Sequence, residues 1–193
     1  MFTTFSAYAA NGLGEMEIGN EAVLTEIKML DVSGEQISLN DVKKDNGLLV
    51  LFSCNACPFV KKWEARYPDI KAWADKHDVG MIVLNSNYGK RDAGDSYEDM
   101  KARAREKNYN FYYALDEDSK IANAFGGKTT PHAFLFNDDM KLVYKGAVDD
   151  NYEDAGKVKN AYLKNAIHSL AKGEEVAISE TKPVGCSIKR KLD

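Results

Sequence analysis

The chain predicts an α/β fold: a central mixed β-sheet flanked by helices on both faces. Three observations carry this. Short apolar, branched runs recur at Leu48–Ser53, Gly80–Asn85 and Ala133–Phe136. Between them lie stretches with apolar residues three and four apart, the helical spacing. Polar turns containing Gly, Asn or Asp separate the two kinds, and alternating strands and helices imply a sheet covered on both sides. At 193 residues the chain fits one domain, and 44% hydrophobic residues suffice to fill its core. The expected organisation is a loose N-terminus over 1–20, a domain over 21–175 and a C-terminal tail over 176–193.

Each element follows in order. Thr25–Asp31 and Gln36–Leu39 read as a hairpin around a Ser33-Gly34 turn, with Asn40-Asp41 opening a short helical turn. Leu48–Ser53 is a buried strand. From Cys57 to about His77 the residues Val60, Trp63, Tyr67, Ile70, Trp73 and Ala74 form the core stripe of a helix, and Pro68 predicts a kink or break within it. Gly80–Asn85 is a second buried strand, followed by a polar loop over 86–95. Ser96 and Asp99 have capping-box spacing for a helix running to about Lys107. A strand at Phe111–Leu115 and a helix at Ser119–Phe125 come next. Gly126-Gly127-Lys128-Thr129 reads as a helix-terminating glycine cap and loop, since a phosphate loop would need a further glycine where Ala122 stands. Strands Ala133–Phe136 and Leu142–Ala147 flank an Asn-Asp-Asp turn. A last helix spans Asp154 to Ala171, with Val158, Tyr162, Ala166, Ile167 and Leu170 inward.

Charge narrows the partners. A formal net charge of −4 argues against a nucleic-acid surface, and the one basic cluster, Lys189-Arg190-Lys191, reads as a solvated tail. No apolar run reaches the roughly 18–20 residues of a membrane span. Ala7-Tyr8-Ala9 fits a small-x-small cleavage site without the basic and apolar regions of a signal peptide. The expected compartment is cytoplasmic if Met1 is native, and periplasmic or exported if the start is a truncated signal.

The chemistry concentrates at Cys54-Asn55-Ala56-Cys57-Pro58, directly after the strand 48–53. Two thiols spaced by two residues at a strand-to-helix junction suit electron transfer through a small, reversible disulfide. Unpaired N–H groups at a helix start favour a thiolate. Cys54 is expected to be the more exposed thiol with the lower pKa. Cys57, one turn in, is expected to be shielded and to resolve a mixed disulfide. Pro58 removes an N–H where none is needed. Thr129-Thr130-Pro131, just before the strand His132–Phe136, suits a cis peptide and would offer the Thr130 backbone to an extended substrate segment. His132 should lie near the thiols and tune Cys54. Phe59, Thr130 and His132 are the substrate-binding candidates.

These residues resemble the thioredoxin superfamily, in the branch of peroxiredoxin-like (AhpC/TSA-type) redoxins with the pattern Phe-x-Cys-Asn-x-Cys-Pro. The similarity runs through Phe52–Val60, the stretch 95–104, Thr130-Pro131, Gly146–Asp154 and the ending Glu180–Lys189, about residues 20–190 in all. It implies a thioredoxin-like fold with an N-terminal β-hairpin extension and a helix-strand insertion. It also implies Cys54 as nucleophile, Cys57 as resolving thiol and Pro131 as the cis residue. Two positions depart from the pattern. Leu48 stands where many thioredoxins carry a buried acid, which makes Glu64 an auxiliary candidate for proton transfer. Gly47 and Leu51 replace the proline and threonine of the peroxidase signature. Cys186 lies in the similar tail, either as a third redox partner or as an anchor. His77 and His168 read as exposed groups near helix ends.

The expected function is thiol–disulfide exchange at Cys54 and Cys57 on protein disulfide or dithiol substrates with a thiol reductant, in a monomer or homodimer, with no cofactor and no metal. The alternatives are a thiol peroxidase using Cys54, and a copper chaperone using Cys54, Cys57 and His132.

Overall fold

The computed structural model describes residues 14–191. Its strands are β1 (Met29–Asp31), β2 (Gln36–Ile37), β3 (Leu48–Ser53), β4 (Gly80–Asn85), β5 (Tyr112–Leu115), β6 (Thr129–Thr130), β7 (His132–Phe136), β8 (Leu142–Gly146) and β9 (Cys186–Ser187). Seven of them form one sheet in the order β2-β1-β5-β4-β3-β7-β8, while β6 and β9 pair separately. β3, β4 and β5 run parallel; β7 pairs antiparallel with β3, and β8 with β7. The hairpin β1–β2 joins the far edge antiparallel to β5. The sheet is therefore mixed, as the alternation of elements implies.

The helices are α1 (Leu39–Val42), α2 (Pro58–Trp63), α3 (Tyr67–Lys76), α4 (Tyr97–Glu106), α5 (Lys120–Phe125) and α6 (Tyr162–Ala171). Side chains alternate across each strand, so β3 sends Leu48, Val50 and Phe52 to one face and Leu49 and Leu51 to the other. The first face packs on α1 and α5 and on Met16 and Ile188. The second packs on α2, α3 and α6 through Trp63, Tyr67, Ile70, Leu163 and Ile167. Both faces of the sheet are thus apolar, which is why its central strands read as unbroken apolar runs.

Several boundaries differ from the sequence reading, each for a local reason. The long helix breaks at a 3-10 turn, Glu64–Arg66, and not at Pro68 itself. A proline ring clashes with the carbonyl four residues earlier, here Glu64, so the distortion falls upstream and Pro68 sits in the first turn of α3. The last helix starts at Tyr162; Asp154 instead caps a short 3-10 turn, and Asp150 binds the Lys159 and Asn160 N–H groups. The first helical turn starts at Leu39 because Ser38 and Asp41 form a capping box. The box at Ser96 and Asp99 and the left-handed Gly126 at the end of α5 match expectation.

The N-terminal segment read as loose and the C-terminal tail both pack against the domain where they are described. Met16 is buried; its N–H donates to Phe125 O, and its carbonyl accepts from the buried Lys145 ammonium. Ala7-Tyr8-Ala9 lies outside the described residues. The tail pairs along β8 through Ser179–Thr181, then crosses to β6 and inserts Ile188 into the core. Among the described residues no helix is long and apolar enough to cross a membrane.

Candidate redox site

β3 ends at Ser53, whose hydroxyl lies 3.0 Å from Tyr67 OH, and Cys54 follows at the carboxyl end of this interior strand of the sheet. Cys57 is the residue immediately before α2, and Pro58 opens that helix without an N–H to satisfy. β6 lies beside β3, so Thr130 meets the thiols from 76 residues away: its Oγ1 is 3.2 Å from Cys54 Sγ. Its carbonyl oxygen is 3.5 Å from Cys57 Sγ. The Thr130–Pro131 peptide is cis. All three cysteines are free thiols, and Cys186 packs with Phe59 against the Cys54–Cys57–Val60 cluster.

The exposure and acidity of the pair differ from expectation. Cys54 and Cys57 are 3% and 4% exposed, so neither thiol stands open to solvent. Cys54 is pushed up, first because its S–H donates to Cys57, then by burial and by the negative charge of Asp95. Cys57 is pulled down, first by that same hydrogen bond from Cys54 and then, against the opposing effect of burial, by donation from the Cys186 thiol and from the Val60 and Cys186 N–H groups. One proton held between two sulfurs makes the first ionisation of the pair easy and the second hard. The first ionisation therefore belongs to the pair; the Cys57 S–H also donates to Thr130 O, and the Thr130 hydroxyl lies against Cys54 Sγ. The donors around Cys57 come from the first turn of α2 and from the tail.

A polar network fixes the residue between the thiols. Asn55 N–H donates to Asp95 at 2.6 Å, its amide donates to Gly94 O at 3.0 Å, and its carbonyl accepts from Tyr113 OH at 2.9 Å. Asp95 is fully buried and also accepts from Asn85 and Asn87, while Arg91 bridges Asn85 to the Asp95 carbonyl. This network was not singled out in the sequence. Its signal was present: the apolar strand 80–85 ends in Asn85-Ser86-Asn87, polar residues at the carboxyl end of a parallel strand, where α/β sheets place their sites.

Other candidates fall elsewhere. His132 is buried on the opposite face of the sheet, its ring 4.5 Å from Phe134, and its Nδ1 accepts from Lys128 N–H. Burial holds it neutral, its pKa lowered to about 3. It is not among the groups that shift either thiol, since β7 alternates and the side chain after Pro131 points away from α2. Among the described residues no three His, Cys, Asp or Glu groups converge as a metal site. Glu64 is buried but bound by Arg103 at 2.5 Å and by Tyr109 OH at 3.2 Å, which ties the 3-10 turn after α2 to α4. Phe59 is half-buried and its ring lies 5.3 Å from Tyr152. His77 and His168 hydrogen-bond to each other at 3.1 Å.

The largest correction concerns the Thr130 edge. The backbone expected to receive a substrate segment is already paired with the chain's own tail, Thr129 with Ser187 and Thr130 with Cys186. Val184 O accepts from the Trp63 indole, and Ile188 N–H donates to Lys128 O.

A dithiol at the end of a central parallel strand, opposed by a cis-proline turn on a neighbouring strand, defines a thioredoxin-superfamily redoxin. More narrowly, residues 18–145 match the AhpC/TSA family, and the chain belongs to it. Among solved structures, it is similar to a hypothetical protein from Sinorhizobium meliloti 1021 (28% identity, TM-score 0.84, 93% of this chain and 98% of that one). It is also similar to an uncharacterized conserved protein from Geobacillus kaustophilus (30% identity, TM-score 0.81, 95% of each chain). A putative protein disulfide isomerase from Bacteroides thetaiotaomicron shares the fold at 19% identity and TM-score 0.61, over 84% of this chain and 95% of that one. No curated protein matches the chain.

Proposed function

We propose that the protein is a thiol–disulfide oxidoreductase that cycles Cys54 and Cys57 between dithiol and disulfide. The observation that carries this is geometric: two free thiols packed in one cluster at the start of α2, beside the cis Thr130–Pro131 peptide. In the forward step the Cys57 thiolate attacks one sulfur of a substrate disulfide, and the other substrate sulfur leaves as thiolate. Cys54 then gives up its proton to that leaving sulfur and attacks Cys57, which closes the Cys54–Cys57 disulfide and releases a reduced substrate. A thiol reductant reverses the last bond by the same chemistry. Protein disulfides are the proposed substrates.

The test is insulin reduction with a thiol reductant, combined with trapping. Wild-type protein should turn over insulin, and both Cys54→Ser and Cys57→Ser should lose that activity. Mixed disulfides should accumulate on Cys57 in a Cys54→Ser/Cys186→Ser double variant, in which no neighbouring thiol is left to displace them. Absence of turnover by wild type, with the Cys54–Cys57 pair unable to form, defeats the proposal. Thiol peroxidase chemistry is the second reading, favoured by the burial of both thiols beneath the tail, which admits a small oxidant more readily than a protein strand. It requires oxidation of Cys57 by hydrogen peroxide at a rate far above that of a free thiol.

A further inference from the structure

The tail is built into the site and does not merely cross it. Its N-terminal half is fixed by Thr181, whose hydroxyl contacts Tyr144 OH at 2.7 Å and accepts from Ala147 N–H. Its C-terminal half is fixed by Ile188 in the core, by Lys189 N–H on Asn87 and by Arg190 on Asn123 and Gly127. Between these anchors Cys186 takes the register position opposite Thr130. Gly185 lets the strand approach, because a β-carbon there would meet the Thr130 carbonyl carbon at 2.6 Å. The result is a row of three sulfurs with Cys57 in the middle. Cys57 accepts from Cys54 on one side and from Cys186 on the other, while the Phe59 N–H donates to Cys186. The outer two differ in access: Cys54 is buried and Cys186 is half-exposed.

We propose that Cys186 is a third catalytic thiol, and that the C-terminal strand serves as an in-chain substrate through which the buried pair exchanges disulfides with the outside. This rests on the exchange reading above. The internal step needs no external oxidant: the Cys186 sulfur attacks Cys57 in the Cys54–Cys57 disulfide, a Cys57–Cys186 bond forms, the Cys54–Cys57 bond breaks, and the Cys186 proton ends on Cys54. An external thiolate then attacks the half-exposed Cys186 sulfur, makes a mixed disulfide there, and releases Cys57 as thiolate. A second external thiol attacks the mixed disulfide and returns Cys186 to the thiol, leaving an external disulfide and a fully reduced site. Two electrons pass from the external thiols to the protein disulfide.

The experiment equilibrates full-length wild-type, Cys54→Ser and Cys186→Ser proteins in glutathione buffers, quenches with acid and alkylating agent, and maps disulfides by mass spectrometry. In Cys54→Ser, Cys57–Cys186 should exceed the Cys57–glutathione mixed disulfide by about tenfold or more, since a neighbouring thiol acts at an effective concentration well above that of free glutathione. Cys186→Ser should still form Cys54–Cys57, yet that disulfide should be reduced by glutathione about tenfold more slowly than in wild type. Glutathione alone on Cys57 in the first variant, together with a wild-type reduction rate in the second, overturns the proposal. The reading on which it rests fails separately, through absence of Cys54–Cys57 in wild type. Should Cys54→Ser fold poorly, the reduction rate of Cys186→Ser decides alone.

Discussion

Replacing Gly185 with alanine places a methyl group 2.6 Å from the Thr130 carbonyl carbon and closer still to its oxygen, in a strand pinned at both ends. Backbone cannot swing aside as a side-chain tip can, so either β6 and β9 separate locally or the tail leaves. Overpacking of this kind costs about 1–3 kcal/mol. Leaving forfeits the burial of Ile188, roughly 2 kcal/mol, and several hydrogen bonds of about 1 kcal/mol each. The clash is thus smaller than full detachment, and the expected outcome is a strained, more frequently opened tail. A loss of about 1.4–2.8 kcal/mol in the local closing equilibrium raises the open population 10- to 100-fold. Two measurements read it: urea unfolding for the stability loss, and the rate at which an aromatic disulfide reagent labels Cys57 under native conditions. Both should shift in Gly185→Ala, with labelling accelerated by the factor given. Labelling within twofold of wild type at unchanged stability would refute the tail as cover of the site.

Further outcomes follow from the same contacts. Asp95→Asn removes the charge that helps hold the proton on Cys54 and turns one acceptor in a buried network into a donor. Stability should fall by about 1–3 kcal/mol, and the alkylation pH profile of Cys54, followed in Cys57→Ser, should move to lower pH; an unmoved profile argues against the electrostatic account. Glu64→Gln breaks the ion pair with Arg103 and should cost about 1–3 kcal/mol in urea unfolding while leaving insulin turnover within twofold, because Glu64 is committed to Arg103 and Tyr109; a large loss of turnover would restore it as a proton carrier. His132 has a folded pKa lowered by burial to about 3 against an ordinary value of 6.5. The unfolded chain therefore binds the extra proton between these values, so stability is complete above about pH 6.5 and is lost as pH falls, by about 2 kcal/mol at pH 5. His132→Leu should flatten that acid limb, and an equal fall in urea midpoint between pH 7 and 5 in both proteins counts against it.

What could be read from the residues is what local pattern encodes. The buried strands, the Ser96–Asp99 capping box, the Gly126 cap and the cis proline are each marked by a few adjacent residues, and each stands where the pattern puts it. Pro68 signalled a break but not its place, since the clash acts one turn upstream. The acidity of the thiols escaped because it depends on chain crossings. The donors to Cys57 include Cys186, at the far end of the chain, and the charge opposing Cys54 is Asp95, in a loop distinguished in the sequence only by polarity. His132 was misplaced by sequence adjacency: one residue along a strand is the other face of the sheet.

The tail carries the same lesson into mechanism. A strand edge beside a redox dithiol is an exposed row of unpaired N–H and C=O groups, able to pair with any extended segment. Here that edge is met by Cys186–Ser187, and the residues that make the fit possible are small or apolar: Gly185 for approach and Ile188 for anchorage. An anchor alone would need no thiol at the central position, where serine or alanine would pair equally well through the backbone. A cysteine there packs a third sulfur against the Cys54–Cys57 cluster, on the strand that covers the edge. Access to the buried thiols and covering of the strand edge are therefore one problem, and Cys186 answers both.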